Sequence, residues 1–302
     1  MQITFYSKRF KIRDELSVVA KVNYCHSLLF HNLYMQPEIS ICIPVIKGQF
    51  LEEALNSIFA NKFQDFEVVV NDSSDSLRVK EILSKYDVKI IEKMTKSFES
   101  RLITVQSSKG YKVFLSDETR ILGDTMLKEI ASTNNDMIVI REIDVGGGLL
   151  NFFSNLDKKN AHRSATGLDP LNNKSVIPRV YKRNIIDESF NRIGKRLSSE
   201  IMMKIVGLDL ELIYLESFNQ SQDIGIIESP EIMHYGDANL RALYKKYYRY
   251  GRSQKKLRHT AYSEFADLSG RSRTGLPLWG RLQSLPIQFI RGIPFVIGYL
   301  SG

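Results

Sequence analysis

Acidic and hydroxyl side chains directly follow two apolar runs of this sequence, at the points where a strand would end and a loop begin. The segment Asn-Asp-Ser-Ser at residues 71–74 follows the run at 66–70, and Ser-Asp-Glu at 116–118 follows the run at 111–115. Carboxylates in such positions could contact a ligand, bind a hard divalent cation or accept a proton. For the second segment, the alternative is a solvated acidic turn without chemistry.

Apolar spacing predicts the elements that position these side chains. Residues 39–45 and 66–72 are β-branched apolar runs, and apolar residues recur at helical spacing between them. Strand, helix and strand in this order are typical of a parallel βαβ unit. Ligands of such units bind beyond the carboxyl ends of the strands, where Pro44 and Asp72 are placed. We therefore expect both residues to line a ligand site.

Strands continue to alternate with helices as far as about residue 140. This pattern predicts an α/β fold with a mostly parallel sheet that is covered by helices on both faces. Residues 151–174 are polar, poor in strand formers and long for a connection, so we expect a functional loop or lid there. A basic helix is predicted at about 238–258, and prolines interrupt the aromatic tail at 276–302.

The first βαβ segment resembles the opening of family 2 glycosyltransferases. That family has a strand ending in Ile-Pro-Val or Ile-Pro-Thr, a helix containing Leu-x-x-Ala-Leu-x-Ser-Ile, and a strand ending in Val-Asp-Asp-Gly-Ser, where this chain has Asn-Asp-Ser-Ser at 71–74. The resemblance extends from about residue 37 to about residue 236 and is weaker in its second half. It implies a GT-A fold, with Pro44 and Asp72 at the nucleotide, and a hexosyltransferase-like enzyme that transfers a sugar from a nucleotide-sugar donor.

The resemblance also implies a metal site. The family has Asp-x-Asp where this chain has Ser116-Asp117-Glu118, so Asp117 and Glu118 would hold a divalent metal, Mg²⁺ or Mn²⁺, although Ser116 replaces one family carboxylate. Such a cation neutralises a departing diphosphate. His234 follows a later apolar run and is the third metal candidate. The alternative for His234 is a surface or capped residue.

A carboxylate base is expected near the start of a later helix. Inverting sugar transfer needs a carboxylate to take the proton of the acceptor hydroxyl. Family 2 enzymes use an acidic residue at such a helix start, and Asp209 is the first candidate here because helix N-terminal amides face the site. Glu211 is the second candidate. The alternative role for Asp209 is N-capping of the helix.

Two arginines are candidates for binding phosphate groups. Arg101 matches the arginine of the family's Ala-Arg-Asn turn, although Leu102 replaces the asparagine. Its planar guanidinium could pair with a diphosphate, and the alternative is a position on a helix surface. Arg179 lies in a later basic segment and is a candidate for binding a phosphate-bearing acceptor.

The basic residues are concentrated in one segment. Eight of the 42 Lys and Arg residues lie between positions 240 and 262 without an acidic residue, and the other 34 equal the 34 acidic residues in number. Aromatic residues are interspersed among them, and Trp279, Phe289, Phe295 and Tyr299 follow in the tail. This composition predicts an anionic membrane surface as partner. The alternatives are a solvated basic helix and a binder of single-stranded nucleic acid, and we expect no nucleic acid as partner.

Other features limit the class of protein. No segment reaches the ~20 apolar residues of a membrane-spanning helix, and the N-terminus lacks the pattern of a signal peptide. Two cysteines do not make a disulfide framework, and Cys42 lies in an apolar run, which predicts a buried thiol in a reducing compartment. We therefore expect a cytoplasmic protein, peripheral on the inner face of the cell membrane.

Three regions are predicted. Residues 1–34 would be an extension upstream of a start at Met35, residues 35–236 the glycosyltransferase domain, and residues 237–302 a basic helix with a membrane-associated tail. The predicted function is inverting transfer to a lipid-linked or surface-glycan acceptor. Because Ser116 and Leu102 depart from the family pattern, the alternative is a nucleotide-sugar-binding scaffold without turnover.

Overall fold

A computed structural model describes residues 36–146, 148–163, 168–171, 176–237, 239–266 and 278–302 of the chain. Residues 37–302 belong to one unit. The predicted extension at residues 1–34 and the start at Met35 lie outside the described residues.

A sheet of eight strands forms the centre of the described chain, in the order β3-β2-β1-β4-β7-β6-β8-β5. The strands are β1 (Ile39–Val45), β2 (Phe66–Asp72), β3 (Lys89–Glu92), β4 (Lys112–Leu115), β5 (Arg120–Ile121), β6 (Met137–Val145), β7 (Val180–Lys182) and β8 (Ile224–Tyr235). The described helices are α1 (Leu51–Phe59), α2 (Leu77–Leu83), α3 (Ser97–Gln106), α4 (Met126–Ser132), α5 (Leu149–Arg163), α6 (Arg183–Arg196), α7 (Ser199–Lys204), α8 (Asp209–Phe218), α9 (Leu240–Leu257), α10 (Ser263–Ala266) and α11 (Leu278–Ser301).

Strand directions bring several strand ends to one edge of the sheet. Strands β1, β2, β3 and β4 pair in parallel, and β6 pairs in parallel with β8. Strand β7 is antiparallel to both β4 and β6, so β6 runs in the same direction as β4. The carboxyl ends of these parallel strands therefore share an edge, and the predicted mostly parallel α/β sheet is confirmed.

Alternation along β1 divides the core between the two faces of the sheet. Ile39, Ile41 and Ile43 pack with residues of α1, α2 and α4 on one face. Cys42 points to the other face, where residues of α3, α6 and α8 cover the sheet. The thiol is buried, as predicted, and burial raises its pKa to about 11.

The structure corrects two predictions about the second half of the chain. The predicted loop at 151–174 is largely the helix α5, in which the polar residues Ser154, Asp157 and Asn160 are buried at helical spacing. They lie inward because α11 supplies polar partners, so polarity did not indicate solvent exposure there. The tail is a continuous helix that includes Pro286 and Pro294, rather than a segment interrupted by prolines.

Helices α9 and α11 pack at close distance through glycine. A Cβ atom at Gly251 would lie 2.0 Å from the backbone oxygen of Phe295, and one at Gly298 would lie 2.0 Å from the backbone oxygen of Tyr248. Tyr247 of α9 contacts Arg291 of α11, and four residues later Gly251 contacts Phe295. Because the contacts occur in the same order along both helices, the two helices are parallel.

We expect Gly251→Ala to lower the free energy of unfolding by about 1–3 kcal/mol, because the added methyl group overpacks the helix contact. The matched control is Gly292→Ala on α11, where the added Cβ would have no described atom within 4 Å apart from the adjacent residues and backbone of its own helix. That change should stabilise by up to about 1 kcal/mol, the difference in helix propensity. Urea unfolding of both variants provides the measurement, and equal effects would contradict the close packing.

Candidate functional site

Asp72 and Pro44 lie at the shared carboxyl edge of the sheet, as predicted. Val45 pairs with Asp72 in the register of β1 and β2, and Pro44 pairs with Asn71. The Asp72 carboxylate accepts hydrogen bonds at Oδ1 from the backbone N–H of Ser74 (2.8 Å) and from its hydroxyl (2.6 Å). These two bonds fix a nearly buried carboxylate at the end of β2.

A buried ion pair joins α3 to the start of α8. The Arg101 Nε atom donates to Oδ2 of Asp209 at 2.5 Å, and the Ser97 hydroxyl donates to the same oxygen at 2.9 Å. Both charged side chains are at most 7% exposed. Arg101 Nη1 also donates to the backbone oxygen of Ser116 at 3.0 Å, at the end of β4. One guanidinium therefore connects the predicted base to the segment after β4.

Glu211 is the second predicted base and lies on the same helix as Asp209. It lies two positions after Asp209 on α8, and residues two apart in a helix do not share a face. Its charge contributes to the raised pKa of Tyr250 on α9, which burial brings to about 12. The charge of Asp209 acts on Tyr250 as well, and Asp209 is the residue whose carboxylate pairs with Arg101.

Glu118 binds the backbone of the loop after β1. Its carboxylate accepts hydrogen bonds from the N–H groups of Ile46 (2.9 Å), Lys47 (3.2 Å) and Gly48 (3.0 Å). Gly48 has a φ of +68°, and a Cβ there would overlap Val79. Glu118 thus acts as an anion that holds a tight, glycine-dependent turn at the edge of the site.

Asp117 points to different partners. Its Oδ1 atom accepts hydrogen bonds from the backbone N–H of Thr119 (3.0 Å) and from the Thr119 hydroxyl (2.6 Å). Its other carboxylate oxygen is paired with Arg120. Asp117 and Glu118 are adjacent in sequence, but their carboxylates therefore bind different partners.

Sequence reasoning missed a second buried cluster, formed by Arg120, Glu142 and Arg179. The Nε atoms of Arg120 and Arg179 donate to the same Glu142 oxygen, at 3.0 Å and 2.8 Å. Burial lowers the pKa of Arg120 to about 10. Burial alone would raise the pKa of Glu142, but the two arginines hold it well below its usual value. The position of Arg120 directly after the 116–119 turn was the available signal.

Two buried polar atoms near this cluster find no hydrogen-bond partner within the described parts of the chain: Nη1 of Arg179 and Oγ of Ser116. A buried donor without a partner is costly, and such atoms call for an explanation such as a ligand. Both residues belong to the segments where β4 ends and β7 begins. The binding of a phosphate-bearing acceptor by Arg179 stays a prediction.

His234 lies beside the cluster but binds another carboxylate. It pairs with Arg120 across β5 and β8, and its Nδ1 atom lies 2.8 Å from Oδ1 of Asp144. Lys158 donates to the same oxygen at 2.6 Å. Burial lowers the pKa of His234 to about 4, so its imidazole is neutral near pH 7.

The three predicted metal ligands do not fit a metal site as they are positioned. Asp117 contacts Thr119 and Arg120, Glu118 contacts three backbone amides, and His234 contacts Asp144. Over the described ranges, no three His, Cys, Asp or Glu side chains are grouped to hold a metal ion. A divalent cation stays a prediction.

Comparison with known proteins gives a clear result for the fold. No protein-family model matches the sequence, and no curated protein is significantly similar to it. A crystal structure of S. aureus TarS residues 1–349 superposes with a TM-score of 0.54 at 14% identity, covering 86% of this chain and 81% of that one. The chain shares the fold of TarS. The same TarS fragment in complex with UDP-GlcNAc gives a TM-score of 0.54 at 13% identity, with 85% and 81% covered.

TarS is a family 2 glycosyltransferase with a GT-A fold, so the predicted resemblance is confirmed at the level of the fold. A longer TarS structure matches with a TM-score of 0.52 at 16% identity, and the match covers 83% of this chain and 43% of TarS. The chain therefore spans less than half of that longer structure. At these identities the likeness concerns the fold, and the chemistry depends on the residues of the site.

We expect an NMR titration to give the His234 imidazole a pKa of about 4. Its unfolded value is about 6.5, so this histidine stabilises the protein above that pH and the stabilisation is lost as the pH falls towards 4. The loss is on the order of 3 kcal/mol. His234→Gln should remove this part of the pH dependence, whereas His259→Gln, at an exposed position, should not. A His234 pKa near 6.5 would contradict the burial of the imidazole, because the contact with Asp144 by itself raises the pKa.

Proposed function

We propose that this protein transfers a sugar from a nucleotide-sugar donor to an acceptor. The observation that carries the proposal is the convergence of Asp72, the Arg101–Asp209 pair and the Arg120–Glu142–Arg179 cluster at the carboxyl edge of parallel strands. Ligands of α/β sheets bind at this edge. The solved complexes of the structurally similar TarS with UDP-GlcNAc and with UDP support a nucleotide sugar as donor.

The nucleoside is assigned to the crevice between the ends of β1 and β2. Asp72 is held there by Ser74 and is nearly buried, so its carboxylate is already oriented for a ligand donor such as a base or ribose group. Pro44 lines the neighbouring strand and has no N–H that would compete for the ligand. An oriented acceptor reduces the ordering cost of binding.

The diphosphate is assigned to the arginines. Arg179 presents a buried nitrogen that finds no acceptor in the described residues, and Arg120 is buried beside it. A guanidinium pairs with phosphate oxygens in a planar, bidentate geometry. Mg²⁺ or Mn²⁺ remains a proposed cofactor, but Asp117 and Glu118 would have to exchange their present partners to bind it.

Asp209 is the proposed base. Arg101 and Ser97 both contact Oδ2, which leaves the Oδ1 position to take the proton of the acceptor hydroxyl as that oxygen attacks the anomeric carbon. Attack opposite the departing diphosphate in one step would invert the configuration of the sugar. The proposed acceptor is a lipid-linked or surface glycan, and a phosphate acceptor, which is already anionic, would need no such base.

A nucleotide-sugar-binding scaffold without turnover is the second candidate. The observation that favours it is the occupation of Asp117 and Glu118 by partners within the protein. Release of free sugar from a donor by the native protein, with and without manganese, distinguishes the two candidates. Measurable turnover excludes the scaffold.

We expect Asp72→Asn to abolish or strongly reduce the rise in melting temperature that UDP causes in the native protein. Asn keeps the oxygen that binds Ser74 but lacks the negative charge that contacts the nucleoside. Asp75→Asn is the matched control, because Asp75 is an exposed neighbour with a φ of 51° that Asn tolerates. Ligand binding to the native state raises its stability, so a thermal-shift series of nucleoside diphosphates measures this effect. An unaltered shift in Asp72→Asn would show that the nucleotide binds elsewhere.

We expect Asp209→Asn to reduce kcat by roughly 10²–10⁴-fold on a hydroxyl acceptor, because a positioned base contributes about that factor. Glu211→Gln is expected to reduce kcat less, because Asp209 is the residue at the first position of α8 that Arg101 and Ser97 orient. The UDP-induced thermal shift must persist in Asp209→Asn, which separates loss of the base from collapse of the ion pair. Full turnover in that variant would refute the assignment.

A further inference from the structure

Helix α11 exposes an apolar face along its whole length. Six of its large apolar side chains are between 45% and 75% exposed and follow one another at helical spacing. They are Leu278, Leu282, Leu285, Phe289, Ile293 and Leu300. Trp279 lies beside this row at the start of the helix and is 70% exposed. A monomeric soluble protein rarely exposes a contiguous apolar surface of this kind.

The opposite side of α11 includes polar side chains that contact α5 and orient the helix, together with the buried Ile287. Asn160 of α5 donates hydrogen bonds to the backbone oxygen of Gly280 (3.0 Å) and to the Ser284 hydroxyl (3.1 Å). Arg291 pairs with Asp157 of α5 at 3.3 Å. The side of α11 that faces α5 is therefore mixed in character, whereas the exposed side carries the row of large apolar residues, unlike an ordinary surface helix.

Helix α9 places a row of cations next to this apolar face. Arg241, Lys245, Arg249 and Arg252 are all exposed and recur every three or four residues. The C-terminal end of α11 reaches Arg252, and Lys255 donates to the backbone oxygen of Leu300 at 3.3 Å. Neither residues 240–262 nor residues 278–302 contain an acidic side chain.

We propose that the outward face of α11 inserts into an anionic lipid membrane while the cations of α9 bind the lipid headgroups. An interfacial helix combines an apolar face with adjacent basic residues in this way. None of the described helices is long and apolar enough to cross a membrane, so α11 would lie in the plane of the interface. This proposal does not depend on the proposed transfer reaction.

Charge favours lipid over the other occupants of this face. A second copy of the chain would bring two rows of cations together without acidic partners. Single-stranded nucleic acid would be bound by the basic and aromatic residues of α9 and would leave the apolar row of α11 exposed. Of these three partners, an anionic lipid membrane is the one that would both neutralise the cations of α9 and bury the apolar side chains of α11.

Co-sedimentation of the full chain with vesicles tests the proposal. We expect the native protein to sediment with vesicles of phosphatidylcholine and phosphatidylglycerol, and about tenfold less with phosphatidylcholine alone, because the cations of α9 need anionic headgroups. Phe289→Gln with Ile293→Gln should weaken binding at least about tenfold at every salt concentration. Arg241→Gln with Lys245→Gln should weaken it mainly at low salt.

The controls remove an exposed apolar side chain or two cations elsewhere. Leu77→Gln on α2 changes a side chain that is 85% exposed, and Lys109→Gln with Lys128→Gln removes two exposed charges. Both should leave vesicle binding unchanged, and all variants should keep the native melting temperature. Native protein that stays in the supernatant with anionic vesicles at low salt would overturn the proposal.

Two further results would also overturn it. If sedimentation equilibrium shows a native dimer that Phe289→Gln with Ile293→Gln converts to a monomer, the face is an interface between copies. If the protein binds a single-stranded oligonucleotide and no vesicle, the cations serve nucleic acid. The UDP-induced thermal shift is expected to be the same in all these variants, so failure of the membrane proposal is separable from failure of the donor site.

Discussion

The buried ion pair between Arg101 and Asp209 connects the parts of the molecule on which the candidate site depends. It joins α3 to the start of α8, and through the Ser116 backbone oxygen it reaches the end of β4. Leaving one charge of such a pair buried and uncompensated costs about 3–5 kcal/mol. The three elements are therefore held in one arrangement, and that arrangement places the carboxylate of Asp209 at the sheet edge where ligands bind.

Arginines rather than carboxylates are the unusual feature of this edge. Arg101, Arg120 and Arg179 converge there, while Glu118 is bound by backbone amides and Asp117 by Thr119 and Arg120. Two buried cations share Glu142, so a ligand that brings negative charge would relieve the repulsion between them. The proposed diphosphate would therefore lie next to two cations that share a single glutamate.

Groups without a suitable partner inside the protein are also found at α11, where large apolar side chains are exposed to solvent. Polar residues of α5 and α11 satisfy one another, and glycines let α9 approach α11 closely. In this packing the polar residues Ser284 and Arg291 of α11 contact α5, and a row of large apolar residues of α11 remains exposed. The row of exposed apolar side chains on α11, next to the cations of α9, is the physical basis of the proposed membrane contact.

The sequence by itself determined the βαβ unit, the mostly parallel sheet and the positions of Pro44, Asp72 and Asp209 at strand ends or a helix start. These follow from local periodicity and from the rule that ligands bind at the carboxyl edge, so they need no knowledge of distant contacts. The tertiary structure alone decided which partner each charged group has. Arg101 and Asp209 are 108 positions apart, Glu118 binds a loop about 70 residues earlier, and α11 is continuous because α5 and α9 support it. Hydrogen bonds and ion pairs depend on distances of a few ångströms between elements remote in sequence, and local patterns carry no information about those distances.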